Sequence, residues 1–249
     1  MSQVVAGKPV IVTRPAGPGR ELCDALAAEG IHAVLLPALG TRPLPVASAG
    51  APKEADAVVF VSPTAVRYGL KWLAQLSCDN YIAVGERTGL TLAGSGVTAR
   101  YPSTGATSED VLQMPELRAL GAGNKVVIVR GRGGREFLAC ALRRAGVSVD
   151  YIEVYERYCP CPDTGEVSRI RQLGAAAVLL LTSVEGIANL ARILEVQELC
   201  WLQANAELVV LSQRLLTAAR QAGFTGSGVV SAAQPGELLK ALIKTARGR

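Results

Sequence analysis

Short, nearly continuous apolar runs alternate with stretches of helical spacing along the whole chain. Residues 10–15, 57–62, 126–129, 147–154, 176–182 and 207–211 are β-branched or leucine-rich runs with few polar interruptions. That is the pattern of strands buried on both faces. Further strands are expected at 31–36, 81–84, 97–101 and 228–231. Between them, apolar positions recur every three or four residues at 18–29, 64–76, 86–93, 107–120, 137–145, 164–173, 184–195, 213–222 and 235–246. Strands alternating with helices predict an α/β fold with parallel sheets covered on both faces.

The pattern repeats, and the repeat changes the fold expected. Val126–Val129 leads into Arg130, Gly131, Arg132, Gly133, Gly134 and Arg135, then a helical run from Phe137 that stops at Gly146. Val10–Val12 leads into Arg14, Gly17 and Gly19, then a helical run that stops at Gly30. Each stop lies sixteen residues after its arginine. Ala57–Ser62 is echoed by Ala177–Ser183, and Tyr81–Thr88 by Leu208–Leu215. Internal repeats of this kind predict two similar domains. Two proline-containing connectors, 38–44 and 154–160, cross between the blocks. The first and last segments (1–37 with 161–249) are therefore expected to form a discontinuous domain, facing a continuous one (45–153) across a two-stranded hinge.

Composition narrows the chemistry. With 49% apolar and 19% charged residues in 249, the chain can fill substantial cores. It carries no run of eighteen apolar residues and no signal-peptide core, so a cytoplasmic protein off the membrane is expected. His32 is the sole histidine, and none of the six cysteines has paired CxxC spacing, so no metal site is expected. Cys23 and Cys140 are expected on buried helix faces. The net charge of +5 fits an acidic ligand. Nucleic acid is disfavoured, because aromatics for stacking are only 4% and lysines are scattered.

In open parallel sheets, ligands bind beyond the carboxyl ends of the strands. Those ends carry Arg14, Ser62, Gly85, Thr88, Arg130, Gly131, Gly134, Arg135, Ser183, Ser212 and Arg214. Amides at helix N-termini, glycines that let backbone approach a ligand, and arginines together suit anions. The turn at 130–135 is neither a phosphate loop, for no Lys-Ser/Thr follows it, nor a dinucleotide fingerprint, for Glu136 replaces the third glycine. Taken singly, Ser62 and Ser183 read as plain helix caps and the arginines as surface charges. Their recurrence at equivalent strand ends is what marks them as a set.

Five motifs in this order (Val12–Pro15, Phe60–Pro63, Val84–Thr88, Val129–Glu136 and Val154–Tyr155) resemble the uroporphyrinogen-III synthase family over nearly the whole chain. The resemblance implies two α/β domains on a two-stranded ladder, a cytoplasmic monomer and no cofactor. The implied substrate is hydroxymethylbilane, a linear tetrapyrrole with eight carboxylates, with transient contact with the preceding enzyme left open. Ring A loses its hydroxyl, ring D attacks through its substituted carbon, and a spiro intermediate recloses with ring D inverted. Tyr155 is the implied hydrogen-bond donor to the departing hydroxyl, with a hinge packing role as its alternative. Two loops depart from the family: Ser183–Gly186 lacks its second serine, and Leu215 stands where a threonine is usual. A non-catalytic clamp for an acidic metabolite is the competing reading.

Overall fold

The structure, a computed structural model, describes residues 7–45, 52–172, 174 and 176–248. The chain opens with β1 (Val10–Val12), α1 (Ala16–Ala28), β2 (Ala33–Leu35) and β3 (Gly40–Pro43). It continues through β4 (Ala57–Phe60), α2 (Pro63–Leu73), β5 (Tyr81–Ala83), α3 (Glu86–Ala93), α4 (Ser108–Leu112) and α5 (Pro115–Arg118). Next come β6 (Lys125–Gly131), α6 (Phe137–Arg144), β7 (Ser148–Tyr158), α7 (Gly165–Gln172), β8 (Ala177–Leu181) and α8 (Val184–Ile193). The chain closes with α9 (Val196–Asn205), β9 (Ala206–Val210), α10 (Gln213–Gln221), β10 (Gly228–Val230) and α11 (Pro235–Ala246).

These elements fall into two compact units, Met1–Gly40 with Tyr158–Arg249 and Thr41–Arg157. The division points lie inside the connectors that the sequence marks at 38–44 and 154–160. The first unit is a five-stranded sheet in the order β10-β9-β8-β1-β2. Its central strands β1 and β8 are buried throughout, as their unbroken apolar runs require. One core cluster holds Ile11, Leu179 and Leu208; another holds Val10, Val12 and Leu180. Alternate residues of a strand thus feed different clusters, as the period of two dictates. The second unit is a sheet in the order β3-β7-β6-β4-β5, and Val58/Val59 and Val126/Val127 divide between its two clusters in the same way.

The internal repeat is visible in the register. In the first unit Val10 pairs with Val178 and Ala33, and Val178 with Glu207. In the second, Val126 pairs with Ala57 and Val149, and Val58 with Tyr81. Counted from these pairs, Arg14 and Arg130 occupy the same position, four residues on. So do Ser183 and Ser62, each five residues beyond its paired strand residue. Gly30 and Gly146 both adopt left-handed φ (+74° and +86°) to stop their helices.

Several local expectations need correction. The proline-bearing connector is partly strand, since β3 hydrogen-bonds to β7. Residues 97–101 form no strand and contribute one bridge, Arg100 to Ile82. The helix expected over 107–120 breaks into α4 and α5, because Pro115 cannot continue α4 and instead starts α5. Helix α2 ends at Leu73, short of the residue 76 expected, and buries Ala65, Val66, Gly69 and Trp72. Helix α9 was absent from the sequence pattern: only Glu198 and Leu202 of it are buried, so it carries almost no apolar stripe. Cys140 and Phe137 are exposed, because α6 turns Leu138, Ala139 and Leu142 inward.

Because the second unit has both sheet faces covered by its own residues, the fragment Thr41–Arg157 should be soluble and melt cooperatively by circular dichroism. A fragment 1–150 should show, in its first forty residues, fast amide exchange, since β1 there lacks its neighbour β8.

Candidate functional site

Strand β6 is the centre of the second unit, with β4 on one side and β7 on the other. At its end the register slips: Arg130 pairs with Glu153, whereas Gly131 pairs with Tyr155. The slip turns the chain across the Tyr155 ring, and the Arg132 N–H donates to the Tyr155 carbonyl at 2.8 Å. A Cβ built on Gly131 would come within 2.5 Å of that ring, so only glycine fits there. Gly133, with φ at +71°, then reverses the chain toward α6. The sequence assigns these glycines the task of letting backbone approach a ligand; in the structure Gly131 approaches the Tyr155 ring and Gly133 supplies a left-handed φ.

Arg130 is the electrostatic centre of this turn. Its side chain is only 9% exposed, and two of its nitrogens donate to Glu136 at 2.6 Å and Glu153 at 3.1 Å. The guanidinium lies 3.6 Å above the Tyr151 ring, and the Tyr151 hydroxyl donates to Glu136. That hydroxyl, followed by Arg130, holds the Glu136 carboxyl below the usual carboxylate range. Burial and the hydrogen bond to Glu136 push the Tyr151 phenol up. Arg132 adds an ion pair to Glu156 at 2.9 Å and a longer one to Glu153. Arginines and glutamates here neutralise one another. Arg135 differs: it is exposed, with no ion-pair partner among the described residues.

A cavity of about 260 Å³ opens beside the turn. Val61 and Val84, just beyond β4 and β5, and Arg130 and Gly131 at the end of β6 form part of its wall, so it sits where open parallel sheets bind ligands. Arg130, Gly131, Gly134, Arg135 and Tyr155 all line it, so the structure brings five of the sequence-selected residues together. Tyr155 is 4% exposed, its ring 5.9 Å from that of Tyr68 and its hydroxyl 3.4 Å from Ser62 Oγ. Ser62 caps α2 by accepting from Ala65 N–H at 3.0 Å.

The other two candidates of the second unit, Gly85 and Thr88, do not line this cavity. Gly85 starts α3 and backs against Ala106, which does line the cavity, while Thr88 is buried within α3. Arg14, Ser183, Ser212 and Arg214 belong to the first unit. Ser183 and Ser212 cap α8 and α10, and Arg214 is exposed. Sequence reasoning passed over Ala106, Ser108 and Arg157 in the cavity wall. A capping box formed by Thr107 and Asp110 places Ala106 and Ser108 on either side of the cap. A larger open depression near Arg100 and Tyr101 is bordered by Asp110 and Glu116, and its arginine is paired with Glu116 at 2.6 Å. It suits anions poorly. Among the described residues, no cluster of His, Cys, Asp and Glu could hold a metal, and no helix is long and apolar enough to cross a membrane.

Comparison with known proteins gives a consistent result. The family model for uroporphyrinogen-III synthase HemD matches residues 20–240. Uroporphyrinogen-III synthases of Escherichia coli K12 and Salmonella typhimurium are each 32% identical to the chain, across 94% of it and 99% of their own length. Among solved structures, uroporphyrinogen-III synthetase of Helicobacter pylori aligns with a TM-score of 0.62 at 15% identity, over 96% of this chain and 99% of that one. A mutant uroporphyrinogen III synthase of Thermus thermophilus aligns at 0.61 and 16% identity, over 97% and 100%. At such identities the solved structures speak for the fold alone.

The depressed Glu136 carboxyl gives a pH signature. A group whose folded pKa is lowered adds stability above its unfolded pKa, and that stability is lost as pH falls through the folded value. Between about pH 6 and about pH 3, wild type should therefore lose melting temperature faster than Glu136→Gln, measured by thermal melts across that range.

Proposed function

This chain belongs to the uroporphyrinogen-III synthase family, and on that premise we propose how its strand-end residues serve the reaction. The enzyme cyclises hydroxymethylbilane to uroporphyrinogen III, inverting ring D and releasing water, in tetrapyrrole biosynthesis. Unaided, the bilane closes without inversion. The protein therefore has to hold the two ends of one chain in a single geometry, which is catalysis mainly by positioning.

In this reading the glycine turn of the second unit grips carboxylates through backbone N–H groups and through Arg135, the arginine there that no described acid pairs. Arg130 works from behind the turn, its charge shared with Glu136 and Glu153. Gly85, at the start of α3, lets the first amides of that helix serve as donors, and Thr88 is buried in the same turn. In the first unit Arg14, Ser183, Ser212 and Arg214 carry the equivalent contacts. Amide donors suit a family member whose loops at Ser183–Gly186 and Ser212–Leu215 have changed, because a backbone N–H survives side-chain substitution.

Tyr155 supplies the one directed proton donor. The observation that carries this role is its placement: a cavity-lining residue whose ring is fixed under Gly131 and beside Tyr68. Hydrogen bonding to the ring A hydroxyl eases its departure, after which closure and ring inversion need containment rather than further acid or base. With a water-soluble polyanion as substrate, we take the enzyme as a cytoplasmic monomer in transient contact, at most, with the enzyme that makes the bilane.

Incubating the protein with enzymatically made hydroxymethylbilane and separating the oxidised products should give predominantly the type III isomer. Type I alone, matching the uncatalysed control, would sink the assignment. Tyr155→Phe keeps the ring packing and removes only the oxygen, so turnover should fall by about one to two orders of magnitude with little change in melting temperature. A fully active Tyr155→Phe alongside an unstable Tyr155→Ala would make the residue a packing element.

A further inference from the structure

Ser62 has a hydroxyl with two neighbours. Its Oγ accepts the Ala65 N–H at 3.0 Å, which is the α2 cap, and lies 3.4 Å from the Tyr155 hydroxyl. No other polar side chain among the described residues reaches that hydroxyl. A serine hydroxyl offers one proton and two lone pairs. The helix occupies a lone pair and leaves the proton to be placed. We propose that Ser62 is a positioning residue that donates its proton to Tyr155 Oη and so turns the phenolic proton toward the cavity.

The opposite arrangement is worse on two counts. If Tyr155 donated to Ser62, the serine proton would be left without a side-chain acceptor among the described residues and would turn to solvent instead. Tyr155 would also offer the substrate hydroxyl only an acceptor, which does nothing to ease its departure. With Ser62 as donor, each proton has one acceptor in line: serine to tyrosine, tyrosine to substrate. Such a chain polarises its members and makes the terminal O–H the stronger donor. No proton changes owner in this arrangement; it fixes the direction of two O–H groups. The separation of 3.4 Å is long for such a bond. Catalytic hydrogen bonds in unliganded sites are commonly long and tighten when substrate arrives. The equivalent serine of the first unit, Ser183, makes the cap bond to Gly186 at 2.9 Å and, among the described residues, no bond to a tyrosine hydroxyl. The second contact of Ser62 is thus an addition to the helix-capping role that the two units share.

The inference rests on Tyr155 as the donor, and a double-mutant cycle separates the two ideas. Glycine is a tolerated N-cap, so Ser62→Gly removes the hydroxyl while leaving α2 in place, as melting curves will verify. Ser62→Gly should lower kcat about five- to tenfold with KM unchanged, and Ser62→Thr should restore it. In a Tyr155→Phe background, Ser62→Gly should cost nothing further, since the hydroxyl it orients is gone. Equal losses in both backgrounds, or a harmless Ser62→Gly beside a slow Tyr155→Phe, would overturn the role of Ser62 alone. A fully active Tyr155→Phe would overturn the donor reading itself, and the orientation of its proton with it.

Discussion

A guanidinium that has left water must find its counter-charges within the protein, and that requirement organises the end of β6. Arg130 is met by Glu136 from the start of α6, by Glu153 from β7 and by the face of Tyr151. Each partner belongs to a different part of the βαβ unit, so one side chain ties strand, turn, helix and returning strand together. Removing a partner from a buried pair typically costs about 3–5 kcal/mol, whereas exposed pairs contribute little. Arg130 is the buried member here, while Glu136 is exposed, so the strength of the arrangement lies in how few alternatives Arg130 has. With the turn so fixed, Gly131 lies against Tyr155 and the tyrosine ring has one place to go. The mechanism needs such rigidity, because a positioning enzyme gains nothing from a loop that samples many shapes.

Much of the architecture was legible in the chain because burial on both faces leaves a plain mark. Val126–Val129 and Ala177–Leu181 could be read as central strands, and both are fully covered. The repeat was legible for the same reason, since paired strand ends recur with the same residue types. Elements whose formation depends on neighbours were not. Helix α9 has a reciprocal cap between Glu195 and Glu198 but hardly any apolar face, so nothing periodic announces it. Strand β3, with Pro43 at its end, owes its existence to β7 beside it.

Within the site, the residues that approach one another through backbone were the readable ones. Gly131 and Gly133 are dictated by geometry, and geometry of that kind leaves glycine as its trace. The partners of Arg130 left none: Glu136, Tyr151 and Glu153 look like ordinary helix-start and strand residues until the fold assembles them. The arginine itself was conspicuous in sequence, yet its charge is largely balanced, and the cationic character of the turn passes to Arg135 and the amides. Charge counted along a chain overstates charge available to a ligand whenever the same turn supplies its own acids.

The order of strands also sets the repeat against the compact units. Labelled by register, the pairs β1–β2 and β6–β7 are one kind of half, and β4–β5 and β8–β9 are the other. Along the chain these halves alternate: first, second, first, second. The sequence repeat thus runs end to end, one copy from β1 to β5 and the next from β6 to β9. Yet the compact units are not the two copies in sequence. The second half of the earlier copy has joined the first half of the later one, and the outermost halves have closed on each other. A chain cut between the two repeats would therefore leave each compact unit with half of its sheet, which is why the chain crosses between them twice, near Gly40 and Tyr158.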